Sequence, residues 1–152
     1  MKGEILNQRY LLISLIGRGG FGAVYQALDM VLDRDVAVKV LNLNGHNNEE
    51  LIDRFFKEAK LAAKLNHPNI LSIFDVGRDE NDKCFLVSEL LTGESLDARL
   101  DRGPLSLSET LTLMGQLADA LLEAHTHQHQ IIHRDLKPAN IYLQGTRSGA
   151  RG

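Results

Sequence analysis

Residues 17–24 read GRGGFGAV, and the segments on either side of them decide the fold. Upstream, RYLLISLIG at 9–17 is apolar and tolerant of an extended backbone; downstream, AVYQALD at 23–29 is of the same kind. The glycines therefore sit at the tip of a hairpin joining two strands. Glycine lets a backbone approach an anion closely and adopt φ > 0. Taken alone, a glycine-rich hairpin tip is usually only a turn. A dinucleotide-binding fingerprint needs strand, glycines and then helix, so strands on both sides argue against a doubly wound sheet.

In RDVAVKVLNL at 34–43, Val36, Val38 and Val40 share one face and Ala37, Lys39 and Leu41 the other, which predicts a third strand. Asn47 with Glu50 resembles a capping box opening a helix that runs to about Leu65, and Pro68 blocks its continuation. ILSIFDVG at 70–77 and KCFLVSELL at 83–91 predict two more strands around the turn RDENDK. Five strands and one helix by about residue 91 make a small α+β lobe. Beyond it the pattern turns helical. ESLDARLDRG at 94–103 predicts a short helix stopped by Gly103-Pro104, and Ser106 with Glu109 makes a second capping-box pattern. The helix that follows, to about His127, carries Leu111, Met114, Leu117, Leu121 and His125 at spacings of three and four, widened by Leu113, Ala118, Ala120 and Leu122. A helix that apolar belongs inside a sizeable helical body. Only ~30 residues follow it, too few to wrap it, so poor solubility is expected.

The bulk numbers narrow the classes. The 152 residues are 43% hydrophobic and 24% charged with net charge −3, ordinary for a soluble domain with no basic field for nucleic acid or anionic lipid. The single cysteine, Cys84, makes no intrachain disulfide and fits the reducing cytoplasm. No apolar run approaches the ~20 residues that span a bilayer. The run at 10–16 is interrupted by Ser14, leads into glycines and lacks a cleavage pattern, unlike a signal core.

Three further features carry chemistry. Lys39 shares a strand face with Ala37 and Leu41, where it needs an anionic partner. Glu58 is the candidate: its spacing from Leu51, Phe55, Ala62 and Leu65 puts it on the apolar helix face, where a carboxylate is costly unless paired. The bland alternative is a glutamate at the edge of the stripe. In HRDLKPAN at 133–140, Asp135, Lys137 and Asn140 fall within six residues, in a segment that Pro138 keeps out of helix. A carboxylate can take or orient a hydroxyl proton, a lysine can neutralise a phosphoryl group, and an amide oxygen suits Mg²⁺. HTHQHQ offers His125, His129 and His133 at spacings of four, but no cysteine or carboxylate joins them, and a polar helix end is the plainer reading.

Glycine loop, strand lysine, helix glutamate and Asp/Lys/Asn loop occur in one order, as GRGGFGAV, VAVK, Glu58 and HRDLKPAN. Together they resemble the eukaryotic-like (Hanks-type) serine/threonine protein kinase family in a bacterial-looking form, over Tyr10 to about Leu143. The resemblance implies a protein-kinase-like α+β fold: a complete five-stranded N-lobe with one helix and the hinge over 10–91, then the beginning of a helical C-lobe through the catalytic loop over 92–152. It implies ATP and Mg²⁺ as cofactors and a protein carrying a serine or threonine hydroxyl as substrate. Gly17, Gly19 and Gly22 would cover the ATP phosphates, and Lys39 would hold the α- and β-phosphates with Glu58 behind it. Ile16, Val24 and Ala37 would roof the adenine, Tyr142 would floor it, and the backbones of Glu89 and Leu91 would bond its edge beyond the gatekeeper Ser88. Ser95 falls at the ribose. Asp135 would be the catalytic base, Lys137 the γ-phosphate contact and Asn140 a metal ligand. His133 would pack the loop, and Arg134 would bind a phosphorylated activation loop.

Ser88 predicts a roomy back pocket. Tyr142 replaces the usual aliphatic residue, and Gln130 stands where the family often has glycine. The family's Asp-Phe-Gly, which follows the catalytic loop by a dozen or more residues, does not occur before Gly152. The expectation is a C-terminally truncated fold whose isolated chain transfers no phosphate. Two other readings compete: a non-catalytic nucleotide-binding or scaffold module, and a small-molecule phosphotransferase, which the Arg134 and Lys137-Pro138 pattern disfavours.

Overall fold

A computed structural model of the chain describes residues 1–19, 22–42, 49–128, 131 and 136–144. The chain divides into two compact units, Met1–Leu90 and Leu91–Gly152.

The first unit is an antiparallel sheet with one helix. Its strands are β1 (Ile5–Leu6), β2 (Tyr10–Gly19), β3 (Gly22–Asp29), β4 (Arg34–Leu41), β5 (Ile73–Arg78) and β6 (Cys84–Glu89), in the order β1-β2-β3-β4-β6-β5. Helix α1 (Glu49–Ala62) lies between β4 and β5 in sequence. The helix ends at Ala62, short of the Leu65 its periodicity predicts, and the Asn47 cap lies outside the described residues. The sheet also holds a strand more than the expected five. Two residues are too short for a periodicity signal, and the turn into β2 lacks an Asn-Gly pair. Asn7 and Gln8 both take positive φ (49° and 54°), and the Arg9 amide donates to the Leu6 carbonyl at 3.0 Å, closing a tight hairpin turn.

The alternation in β4 separates two faces. Val36, Val38 and Val40 enter a core with Leu6, Tyr10, Leu12, Tyr25, Ala27, Phe85 and Val87. The Tyr10 and Phe85 rings meet edge to face at 5.8 Å. On the other face, Leu41 and Cys84 pack with Ile52, flanked by Leu51, Phe55 and Phe56, so α1 covers one end of that face. Each large side chain so buried contributes about 2 kcal/mol of transfer free energy.

The sheet curls until distant strands meet. The Tyr10 hydroxyl on β2 donates to Asp75 on β5 at 2.6 Å, and Lys83 pairs with Glu4. Arg9 donates two hydrogen bonds, both 2.8 Å, to the carboxylate of Asp29, which is 1% exposed. Asp29 also accepts the amides of Val31 and Leu32 and so fixes the β3–β4 turn. The Arg9 guanidinium holds the Asp29 carboxyl down at about 2. Burial, with hydrogen bonding to Asp75, pushes the Tyr10 hydroxyl well above its ordinary range.

The second unit contains β7 (Gly93–Ser95), α2 (Leu96–Leu100), α3 (Leu107–Thr126), a 3₁₀ turn at Pro138–Asn140 and β8 (Tyr142–Gln144). Strands β7 and β8 pair antiparallel. Glu94 and Ser95 thus belong to a strand rather than to the helix expected over 94–103. The Leu96 amide, donating 2.7 Å to the Ile141 carbonyl, carries the pairing up to the first residue of α2. Helix α3 opens with both halves of the capping box: the Ser106 amide donates to the Glu109 carboxylate (2.7 Å) and the Glu109 amide to the Ser106 hydroxyl (3.1 Å). Within its own unit the helix buries only Ala120 and Ala124, while Leu107, Leu111, Met114 and Leu122 are 56–76% exposed. Among the described residues no helix is long and apolar enough to cross a membrane.

Candidate functional site

Gly17, Val24, Ala37, Lys39 and Ser88 of the first unit share the sheet face opposite its main core. Cross-strand register sets Gly17 opposite Val24, Val24 opposite Lys39, and Lys39 opposite Leu86. The adjacent row runs Ser14, Gln26, Ala37, Ser88. Residues directly opposite share a face, so four strands present Gly17, Val24, Ala37, Lys39 and Ser88 to one side. Leu86 belongs to this face, and sequence reasoning missed it; the alternation of Cys84, Leu86 and Ser88 against Phe85 and Val87 carried the signal. Val24 is half-buried, Ala37 and Ser88 are buried, and Lys39 is exposed. Ile16 is exposed beside the register shift between Leu15 and Gly17.

The three glycines separate by cause. A Cβ on Gly22 would stand 2.2 Å from the Val40 carbonyl oxygen, so close strand approach requires glycine there. A Cβ on Gly17 or Gly19 would meet nothing within 4 Å. Packing thus accounts for Gly22 and leaves the other two unexplained by the fold. The tip at 20–21 lies outside the described residues.

Lys39 and Glu58 do not pair. Both are exposed, and among the described residues no ion pair joins them. The helix turns Ile52 and Ala59 inward, with Phe55 and Phe56 half-buried, which leaves Glu58 on the outer edge of the stripe. The apolar-face reading of Glu58 is therefore corrected: a helical wheel gave the stripe's direction but not its width.

At the end of β6, Glu89 is held at three points. Its amide donates to the Ser72 carbonyl (3.0 Å), its carboxylate accepts the Ser72 amide (2.8 Å), and its carbonyl accepts the Ser88 hydroxyl (3.2 Å).

In the second unit, Ser95 and Tyr142 are cross-strand partners in the β7–β8 ladder, although 47 residues separate them. The Ser95 hydroxyl, then the Ala98 amide, hold the Asp97 carboxyl below its ordinary range. Leu91 is half-buried just ahead of β7. The Asn140 amide donates to the Lys137 carbonyl at 2.9 Å across the 3₁₀ turn, whose three-residue period sets positions 137 and 140 over one another. Lys137 and Asn140 are exposed. His133, Arg134 and Asp135 lie outside the described residues.

Against known proteins, residues 10–149 match the protein kinase domain, and the chain belongs to that family. It is 44% identical over 142 residues to the serine/threonine-protein kinase PrkC of Bacillus subtilis, covering 93% of this chain and 22% of that protein. It is 43% identical over 149 residues to the serine/threonine-protein kinase PknA of Mycobacterium tuberculosis, covering 95% of this chain and 34% of that one. The chain thus spans between about a fifth and a third of the length of these relatives. The crystal structure of the M. tuberculosis PknI kinase domain superposes with a TM-score of 0.80 at 29% identity, covering 95% of this chain and 57% of that domain.

Proposed function

We propose that the chain belongs to a protein that transfers the terminal phosphoryl group of ATP to serine or threonine hydroxyls of a protein, and that it supplies the nucleotide-binding sheet and catalytic loop. The observation that carries this reading is the pairing of Gly17 and Gly19, which have open space where side chains would stand, with exposed Lys39 on the same sheet face. Bare backbone plus an available ammonium is what a polyphosphate needs. Ile16, Val24 and Ala37 offer adenine an apolar surface from this side. The Glu89 and Leu91 backbones would bond its edge, Tyr142 would close it, and Ser95 would reach the ribose. Gly22 would keep the hairpin tip close to β4.

In the loop, Asp135 would accept or orient the hydroxyl proton and Lys137 would neutralise charge on the transferred group. When bound, Mg²⁺ supplies charge neutralisation on the phosphates, and the side-chain oxygen of Asn140 is a hard donor of the kind it takes. Glu58 would meet Lys39 only after a rotation of α1, because the two stand unpaired. The buried thiol and the need for ATP support a cytoplasmic location.

Calorimetric titration of the chain with ATP tests this reading. Lys39→Met is expected to weaken binding at least tenfold, the size of one lost charge-assisted contact. Failure of the wild-type chain to bind ATP, or unchanged affinity in Lys39→Met, would overturn it.

A further inference from the structure

We infer that the Glu89 side chain is a positioning residue for the adenine edge, acting through its own backbone. The inference rests on the nucleotide-binding reading above and names a role within it. Strand β6 ends at Glu89, the point from which the chain leaves the sheet. The last register pair between β5 and β6 is Ile73 with Ser88, so on its β5 side Glu89 lies one residue beyond the ladder, while on its β4 side it pairs with Val36. No register pair with β5 fixes a residue there.

Two reciprocal bonds to Ser72 do so instead. The Glu89 amide donates to the Ser72 carbonyl at 3.0 Å, and the Ser72 amide donates back to the Glu89 carboxylate at 2.8 Å. The second bond takes the place of a backbone acceptor that the ladder no longer offers. It needs an oxygen at the end of a side chain of this length. The peptide on the far side of Glu89 is held as well, because its carbonyl accepts the Ser88 hydroxyl at 3.2 Å. A carbonyl oxygen has two lone pairs, so that bond leaves one for an incoming donor. An exocyclic amine such as that of adenine is a donor of the right kind. Both peptide planes at Glu89 are thus oriented before any ligand arrives, and pre-oriented groups lose less on binding.

Ser72 is exposed and Glu89 half-buried, so the bond from Ser72 to the carboxylate adds little to global stability. That separates positioning from structure. Glu89→Ala and Glu89→Gln are the variants, and ATP, adenosine and inorganic tripolyphosphate are the probes. Glu89→Ala is expected to weaken ATP and adenosine by the same factor, about fivefold, from the lost pre-orientation. The tripolyphosphate response and the melting temperature should stay as in the wild type. Glu89→Gln, whose amide oxygen can still accept the Ser72 amide, should restore most of the loss. Equal adenosine affinity in Glu89→Ala and wild type would overturn the inference while leaving the nucleotide-binding reading intact. So would a uniform loss across all three probes, which would mark a purely structural role. A wild-type chain that binds neither ATP nor adenosine would overturn both together.

Discussion

The sheet unit and the helical unit both contain strongly apolar segments, yet they treat those segments differently. In the first, Val36, Val38 and Val40 of β4 each face a neighbour on both sides, and ten side chains close into one core. In the second, α3 carries a comparable apolar pattern and buries only two alanines within its own unit. A strand is satisfied by the two strands beside it, whether near in sequence, as β3 is to β4, or far, as β6 is. A helix this apolar needs several other elements to cover it. Local pattern decides whether an element forms, and the number of partners decides whether it is buried.

Truncations on the two sides should separate widely. Phe85→Ala removes a fully buried ring in edge-to-face contact with Tyr10 and should cost about 4 kcal/mol by urea unfolding. Leu111→Ala, on the exposed side of α3, should change stability by less than about 0.5 kcal/mol. Comparable losses from the two would end the contrast.

The next effect sharpens it within the sheet unit. Asp29→Ala removes a buried carboxylate that accepts from Arg9 and from the amides of Val31 and Leu32, and should cost about 3 kcal/mol. The folded carboxyl titrates at about 2, below the ~3.9 of an unfolded aspartate, so its contribution is complete above roughly pH 4. It is lost as pH falls from 4 through 2. Melting curves across that range should be steeper in pH for wild type than for Asp29→Ala, and parallel slopes would refute the assignment.

Glycine substitutions separate packing from function on one hairpin. Gly22→Ala drives a Cβ against the Val40 carbonyl and should cost about 2 kcal/mol. Gly17→Ala should leave thermal stability within about 0.5 kcal/mol and weaken ATP binding instead. A smaller loss than at Gly22 is expected at the α3 cap, where Ser106→Ala should cost about 1 kcal/mol, read as helical content by circular dichroism.

Much of this was legible from the chain. The β4 alternation named the two faces of the sheet, and Ser106 with Glu109 named the start of α3. The rest depended on partners that no local pattern encodes. The strand Ile5–Leu6 is too short to carry a period, and Glu94 and Ser95 extend because Tyr142 and Leu143 lie beside them. Glu58 sits at the edge of its stripe because α1 turns Ile52 and Ala59, rather than its whole apolar arc, toward the sheet. The bond that the Ser72 amide donates to the Glu89 carboxylate joins residues 17 apart through a side chain, a contact with no sequence signature.

The central claim is that one sheet face binds nucleotide while the other only packs. Methyl-resolved NMR during an ATP titration tests it most directly, because adjacent residues of β4 point to opposite faces. The account predicts ligand-dependent shifts at the Val24, Ala37 and Leu86 methyls, with those of Val36, Val38 and Val87 unmoved. Shifts of equal size on both faces, or shifts confined to the Val36 and Val38 side, would contradict it.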